Sequence, residues 1–143
     1  MGLISPPVGP HLLSAVGDIG GWVHNNLDVV PSTLFVPVWG TVADIDYAGL
    51  APTKIVRVGN GGGQIATSTD SGNTWTTYAN APASLSGGHV QYSANATSIV
   101  WSTSGGNYVS KNGAVFVAVP TLPSGAVVKA DKANDTVVSP SPS

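Results

Sequence analysis

Apolar and polar residues alternate along several short stretches of the chain after residue 40. Residues 41–47 alternate in the way that is typical of a half-buried β-strand. Residues 54–58, 64–68 and 74–78 are predicted as further strands, and the glycine-rich run at 59–63 predicts a hairpin turn. We therefore expect short antiparallel strands joined by tight turns.

This strand pattern repeats after just over forty residues. The pair Ile55-Val56 matches Ile99-Val100, an offset of 44 (99 − 55), and Pro82 matches Pro123, an offset of 41 (123 − 82). A four-stranded unit repeating at about 40–50 residues is typical of a propeller blade. The predicted fold class is all-β: antiparallel four-stranded blades in an incomplete β-propeller of about two blades plus a stub.

The predicted organisation has five parts. Residues 1–40 form a leading segment that contains the turn 17–21; its prolines break long elements, but 12–16 is compatible with a strand and 27–34 with an irregular connection. The first blade covers 41–82, the second 83–123 and a partial third 124–138, before a disordered tail at 139–143. Two and a half blades leave two apolar faces open. Either copies of the chain associate, or the sheets rearrange, or the chain belongs to a longer protein.

Composition excludes several function classes. Charged residues make up 8% of the chain and the net charge is −2, so nucleic acid and anionic membranes are not expected as partners. Cysteine is absent, and the three histidines lack a metal-binding spacing, so we expect neither a metal site nor a cofactor. No apolar stretch is long enough for a membrane helix, and no signal peptide is visible.

The strongest local motif lies at residues 68–75. Its residues Ser68, Asp70, Gly72 and Trp75 fit the Asp-box pattern S-x-D-x-G-x-x-W of sialidases and related propellers. Asp70 is predicted to accept backbone hydrogen bonds within its own turn, and Gly72 to allow a positive φ. We interpret the motif as structural. A second copy at 110–116 lacks both the aspartate and the tryptophan.

An ordered set of segments resembles glycoside hydrolase family 74, the xyloglucanases. These segments are residues 3–7, 12–22, 44–48 and 56–60. The resemblance implies a secreted, fungal, inverting enzyme with two facing seven-bladed propellers and one catalytic aspartate from each. It places this chain at the opening of the second propeller, makes Asp18 the candidate catalytic carboxylate, and implies a xyloglucan-like cell-wall polysaccharide as the partner.

The residues after Asp18 are candidates for contact with the sugar. Gly20 and Gly21 allow a substrate to approach the backbone, and an exposed Trp22 indole is able to stack on a pyranose ring. The alternatives are that Asp18 caps its own turn and that Trp22 packs in the core. The partner carboxylate is expected outside this chain, because Asp44 and Asp46 lie on a blade strand that is not expected beside the turn.

Three functions remain open. The chain is a fragment of a xyloglucan-degrading endo-β-1,4-glucanase that is inactive alone, a non-catalytic secreted protein that binds plant cell-wall glycan or acts as an immune elicitor, or a propeller unit that forms homo-oligomers. The missing partner carboxylate, which the resemblance assigns to a propeller domain missing from this chain, favours the last two for the chain in isolation. Only the first assigns a role to a particular residue.

Overall fold

The computed structural model describes residues 2–17, 20–120, 128–133 and 138–140. Regular structure in these residues consists of three antiparallel four-stranded sheets and one two-stranded sheet. No helix in this part of the chain is long and apolar enough to cross a membrane. The predicted all-β class with antiparallel four-stranded sheets is therefore confirmed.

The strands follow chain order within each sheet. The first sheet contains β1 (Gly2–Ile4), β2 (Leu12–Val16), β3 (Gly20–His24) and β4 (Thr33–Leu34). The second contains β5 (Val42–Ala48), β6 (Ala51–Gly59), β7 (Ile65–Ser68) and β8 (Thr76–Thr77). The third contains β9 (His89–Tyr92), β10 (Ser98–Thr103), β11 (Gly106–Lys111) and β12 (Val117–Ala118), and the fourth contains β13 (Val128–Ala130) and β14 (Val138–Pro140).

The leading segment contains more regular structure than the sequence predicted. Besides the expected strand at 12–16, it forms β1, β3 and β4, so the chain has a third four-stranded sheet. In the stretch 27–34, read as an irregular connection, the last two residues pair with β3: Thr33 with Val23 and Leu34 with Trp22. Strands β1 and β4 have three and two residues, too few to show an alternating pattern, and β3 begins with the two glycines that the sequence assigned to the turn.

The predicted disordered tail does not begin at residue 139. Ser139 and Pro140 belong to β14, where they lie opposite Lys129 and Val128 of β13. Backbone pairing with β13 orders these two residues despite their low-complexity sequence. Residues 141–143 lie outside the described part of the chain.

Two apolar cores lie between the first three sheets. The core between the first and second sheets includes Leu13, Val23, Phe35, Trp39 and Ile55. A second core between the second and third sheets includes Val56, Val58, Ile65, Ile99 and Trp101. The second sheet therefore lies in the middle, and strand β6 buries side chains on both of its faces.

The first strands of consecutive sheets lie side by side. Strand β5 is next to both β1 and β9, and β13 is next to β9. Short side chains bridge these strands: Asp44 Oδ2 accepts a hydrogen bond from Val90 N at 3.0 Å, and Asp46 Oδ2 accepts one from Tyr92 N at 2.7 Å. The two carboxylates thus accept hydrogen bonds from backbone amides of β9 that are not paired with strand β10.

The antiparallel meander divides the connections between two ends of the sheets. The turns between β2 and β3, β6 and β7, and β10 and β11 lie at one end, which we call the hairpin end. Backbone contacts support this arrangement, because Gly63 N donates to Leu85 O and Gly87 N donates to Gly59 O, each at 2.8 Å. The β1–β2 and β7–β8 connections meet at the opposite end, where a Cβ on Gly9 would lie 2.7 Å from Ser71 Oγ.

Candidate functional site

The turn 17–21 joins β2 to β3 at the hairpin end. Gly17 and Gly20 are described, whereas the candidate catalytic residue Asp18 and its neighbour Ile19 lie outside the described residues. Val16 pairs with Gly20, so the strands remain in register up to the turn. Gly20 has a φ of 89°, a left-handed conformation that favours glycine.

Gly20 and Gly21 are both buried, and each faces the segment that links the first and second sheets. A Cβ on Gly21 would lie 2.5 Å from Cε2 of Phe35 and 2.3 Å from Ser14 O. A Cβ on Gly20 would lie 3.3 Å from Trp39 O. These close approaches give both glycines a packing role, and their predicted contact with substrate stays a prediction.

Residues 35–40, which we call the linker, run from β4 to β5 along the turn. Phe35 N donates a hydrogen bond to Gly21 O at 2.8 Å, and the ring of Phe35 fills the space left by the missing side chain of Gly21. The peptide bond between Val36 and Pro37 is cis. Trp39 is buried and its carbonyl lies beside Gly20. The linker therefore forms one wall of the candidate catalytic turn.

The buried, charged side chain of Arg57 packs against the linker. It is 0% exposed, and its guanidinium carbon lies 4.1 Å from the ring centroid of Trp39, 4.8 Å from that of Trp75 and 5.2 Å from that of Phe35. Its Nη2 donates to Pro37 O at 2.7 Å. Burial lowers the pKa of the Arg57 side chain to about 10, so it remains protonated at neutral pH.

Sequence reasoning missed Arg57 and left Trp39 and Phe35 without a role. The available signal was an arginine within the apolar run Ile55-Val56-Arg57-Val58 of a strand. Because β6 is covered on both faces, a charge at position 57 had to be buried between sheets.

Trp22 lies on the face of the first sheet that is directed away from the second sheet. It lines a groove of about 480 Å³ with Leu3, Leu12, Ser14, His24, Val30 and Pro31. Trp22 is two residues beyond Gly20, which places it about 7 Å along the strand from the turn at 3.3 Å per residue. Its predicted stacking on a sugar stays a prediction, and the apolar groove equally suits packing against another sheet.

The carboxylates of Asp44 and Asp46 bind partners that do not belong to the turn. Asp44 Oδ2 lies 3.6 Å from His89 Nδ1 besides accepting the Val90 amide, and Asp46 Oδ1 accepts Lys132 Nζ at 2.7 Å. Burial raises the pKa of Asp46, although Lys132 and the amides of Tyr92 and Tyr47 oppose that shift. Both groups hold β9 and Lys132 in place, so neither of these two carboxylates is free for another role.

The 68–75 segment is a hydrogen-bonded connection at the end opposite the turn. Asp70 Oδ1 accepts from Ser68 Oγ and from Thr74 N, each at 2.8 Å, and Gly72 has a φ of 88°. Trp75 Nε1 donates to Gly72 O at 2.9 Å. The side chains of this segment bind one another and their own backbone, and the structural role predicted for the motif stays a prediction.

The described residues hold no group of three or more metal-ligating side chains.

Comparison with known proteins identifies close similarity to xyloglucanases. No family model matches the chain. A xyloglucanase of Hypocrea jecorina is 42% identical over 142 residues, covering 94% of this chain, and a xyloglucanase of a Paenibacillus species is 36% identical over 92% of it. The chain spans only 17% and 14% of the length of these two relatives.

Solved structures show the same relationship. The GH74 xyloglucanase from Xanthomonas campestris superposes with a TM-score of 0.83 and 37% identity over 91% of this chain, which is 20% of that enzyme. A GH74 enzyme of Niastella koreensis gives a TM-score of 0.79 with 30% identity over 92% of this chain. In sequence and in fold, this chain thus belongs to glycoside hydrolase family 74 and corresponds to a small part of the family's xyloglucanases.

Proposed function

We propose that this chain is part of a secreted xyloglucan-degrading endo-β-1,4-glucanase and contributes Asp18 as one of its two catalytic carboxylates. The observation that carries the proposal is its match, over more than nine tenths of its length, to xyloglucanases. The family segment around Asp18 falls at a tight connection between β2 and β3, and such rims are where blade loops carry function. Within that enzyme, we assign the chain to the opening of the second propeller, as the resemblance implies.

Hydrolysis with inversion needs an acid and a base. The two carboxyl groups are about 6.5–9.5 Å apart, because a water molecule must fit between the base and the sugar. One group protonates the leaving oxygen and the other activates that water. Since Asp44 and Asp46 are held by β9 and Lys132, the partner of Asp18 is assigned to another part of the longer enzyme. The chain alone is therefore expected to lack turnover.

The neighbouring residues are assigned supporting roles. Gly20 and Gly21 let the linker approach the start of β3 closely, two residues after the proposed catalytic carboxylate in sequence. Trp22 is assigned to the sugar only if the groove beside it remains open in the complete enzyme. A neighbouring blade on that groove would make Trp22 an interface residue.

The test is reducing-sugar release from xyloglucan by the longer enzyme that contains this chain. Asp18→Asn is expected to lower kcat by at least about a hundredfold, the scale of a lost general acid or base. Asp28→Asn serves as the matched control, because Asp28 is an exposed aspartate in the β3–β4 connection. Unchanged turnover in Asp18→Asn would remove this residue from the catalytic site.

Binding of cell-wall glycan without catalysis is the second candidate for the chain in isolation. It is favoured by the engagement of Asp44 and Asp46, which leaves Asp18 without a partner, and by the half-exposed indole of Trp22. Turnover by the isolated chain that disappears in Asp18→Asn would contradict this assignment. If no turnover is found, titration with xyloglucan oligosaccharides distinguishes a binding module from an inactive fragment.

A further inference from the structure

The burial of Arg57 is not explained by an ion pair among the described residues. No carboxylate of that part of the chain pairs with it, and its Nε and Nη1 have no hydrogen-bond acceptor there. Removing a guanidinium from water without a counter-ion is unfavourable. Aromatic rings and one backbone carbonyl take the place of the counter-ion.

Most of what Arg57 contacts belongs to the linker. Phe35 and Trp39 present ring faces to the guanidinium, and Pro37 supplies the carbonyl that accepts its one hydrogen bond. Only Trp75 comes from elsewhere, on the connection before β8. A planar guanidinium stacks on rings and donates in its own plane at the same time, a combination that lysine does not offer.

The linker in turn fixes the two described residues that end the candidate catalytic turn. Phe35 donates its amide to Gly21 and packs its ring on that glycine, and the Trp39 carbonyl lies against Gly20. The chain of contacts therefore runs from Arg57 through both ends of the linker to Gly20 and Gly21. These glycines directly follow Asp18 and Ile19 in sequence.

We propose that Arg57 is a positioning residue for the candidate catalytic turn, acting through the linker. It touches neither the substrate nor the reacting atoms. Its role is to hold Phe35, Pro37 and Trp39 against the start of β3, so that the backbone that directly follows Asp18 and Ile19 in sequence is held in place. The inference rests on the proposed function of Asp18.

The test uses Arg57→Lys and Arg57→Met in the longer enzyme, with xyloglucan as substrate and kcat expressed per folded protein. Displacing a catalytic group by about 1 Å costs on the order of a hundredfold in rate, so kcat is expected to fall by about that factor in both variants. KM is expected to stay within about twofold, since substrate-binding groups elsewhere are untouched. Arg57→Lys retains the charge and still loses the stacked, in-plane geometry.

Lys54→Met is the matched control, because Lys54 is an exposed cation on the same strand. It is expected to leave kcat and KM unchanged. A kcat per folded protein for Arg57→Lys within about twofold of wild type would overturn the inference. A loss of activity that is fully explained by a smaller amount of folded enzyme would also overturn it. Failure of both variants to yield folded enzyme would also overturn it, because Arg57 would then serve the fold as a whole.

Asp18→Asn measured in parallel separates the two proposals. If Asp18→Asn is inactive and the Arg57 variants are normal, the role of Asp18 stands and the positioning role fails. If Asp18→Asn retains full activity, the proposed function fails, and with it the reason for positioning this turn.

Discussion

At the scale of single residues, side chains of this protein mostly satisfy nearby backbone groups. Asp70 illustrates this, because both of its carboxylate oxygens accept hydrogen bonds from within six residues of sequence: Oδ1 from Ser68 Oγ and Thr74 N, and Oδ2 from Thr74 Oγ1 at 2.5 Å. Burial acts to raise the pKa of Asp70, but these hydrogen bonds outweigh it and the pKa is lowered below 3.8. Folding therefore favours the ionised form of Asp70.

The lowered pKa of Asp70 predicts a pH dependence of stability with a definite sign. Its contribution is fully present above the unfolded-state pKa of 3.8 and is lost as the pH falls through the lower folded-state value. Asp70→Asn is therefore expected to make the free energy of unfolding fall less steeply between about pH 5 and about pH 2. Urea unfolding across that range measures the slope.

Thr74→Ala supplies the companion variant for this experiment. It removes the hydroxyl that donates to Oδ2 and keeps the amide that donates to Oδ1, so the acid-side slope is expected to lie between those of wild type and Asp70→Asn. An Asp70→Asn slope equal to that of wild type would show that these hydrogen bonds do not distinguish the ionised form.

At the scale of strands and sheets, polar side chains join elements that share no backbone pairing. Asp46 of β5 accepts the Tyr92 amide of β9 and the ammonium of Lys132, which also donates to the Tyr47 carbonyl. Lys132 follows β13, so a strand of the fourth sheet is joined to the second sheet. The Lys132 backbone also packs on Gly49, where a Cβ would lie 2.0 Å from its carbonyl oxygen.

Removal of Lys132 is expected to destabilise the protein through Asp46. Lys132→Met leaves a buried carboxylate without its cation, which is expected to lower the free energy of unfolding by about 1–3 kcal/mol. In the double variant with Asp46→Asn the loss is expected to be smaller than the sum of the two single losses, because the unpaired charge is gone. Urea unfolding of the four proteins gives the coupling energy.

Lys111→Met is the control for Lys132→Met, since Lys111 is exposed on β11 and ends that strand. It is expected to change stability by less than about 0.5 kcal/mol. Strictly additive effects of Lys132→Met and Asp46→Asn would show that the two side chains do not interact in solution.

How far the sequence predicts these elements depends on strand length. Strands β5, β6 and β7 were predicted because each has four or more residues and lies beside a clear signal: β5 alternates, and β6 and β7 flank the glycine-rich turn at 59–63. Strands β1 and β4 have three and two residues and are ordered by their neighbours, so no local pattern marked them. No local sequence pattern predicted the position of the linker either, because its partners Gly21 and Arg57 come from different sheets.

At the scale of the whole molecule, the candidate catalytic turn and the 68–75 segment lie at opposite ends of the sheets. The turn joins β2 to β3 at the hairpin end, whereas the 68–75 segment joins β7 to β8 at the other. The residue proposed for catalysis and the hydrogen-bonded 68–75 segment therefore belong to connections at different ends. A variant such as Asp70→Asn consequently tests the fold without disturbing the turn.

The first and third sheets each carry exposed apolar side chains away from the second sheet. On the first sheet, Leu3 is 68% exposed and Val30 is 87% exposed beside Trp22. On the third sheet, Val115 is 57% and Val117 is 62% exposed beside Val109. Blades normally bury such faces against neighbouring blades. In isolation, these faces are available to a second copy of the chain.

The isolated 143-residue chain is therefore expected to associate as its concentration rises. Light scattering should give a mass above that of the monomer, and Val30→Asp combined with Val117→Asp should return it towards the monomer, because a charge on each face must be desolvated for the faces to pack. Leu50→Asp is the matched control: Leu50 is 54% exposed and lies in the β5–β6 connection, outside both faces, so its mass should equal that of wild type. A wild-type chain that stays monomeric and unfolds cooperatively would contradict the prediction, since a stable monomer must cover these faces within its own chain.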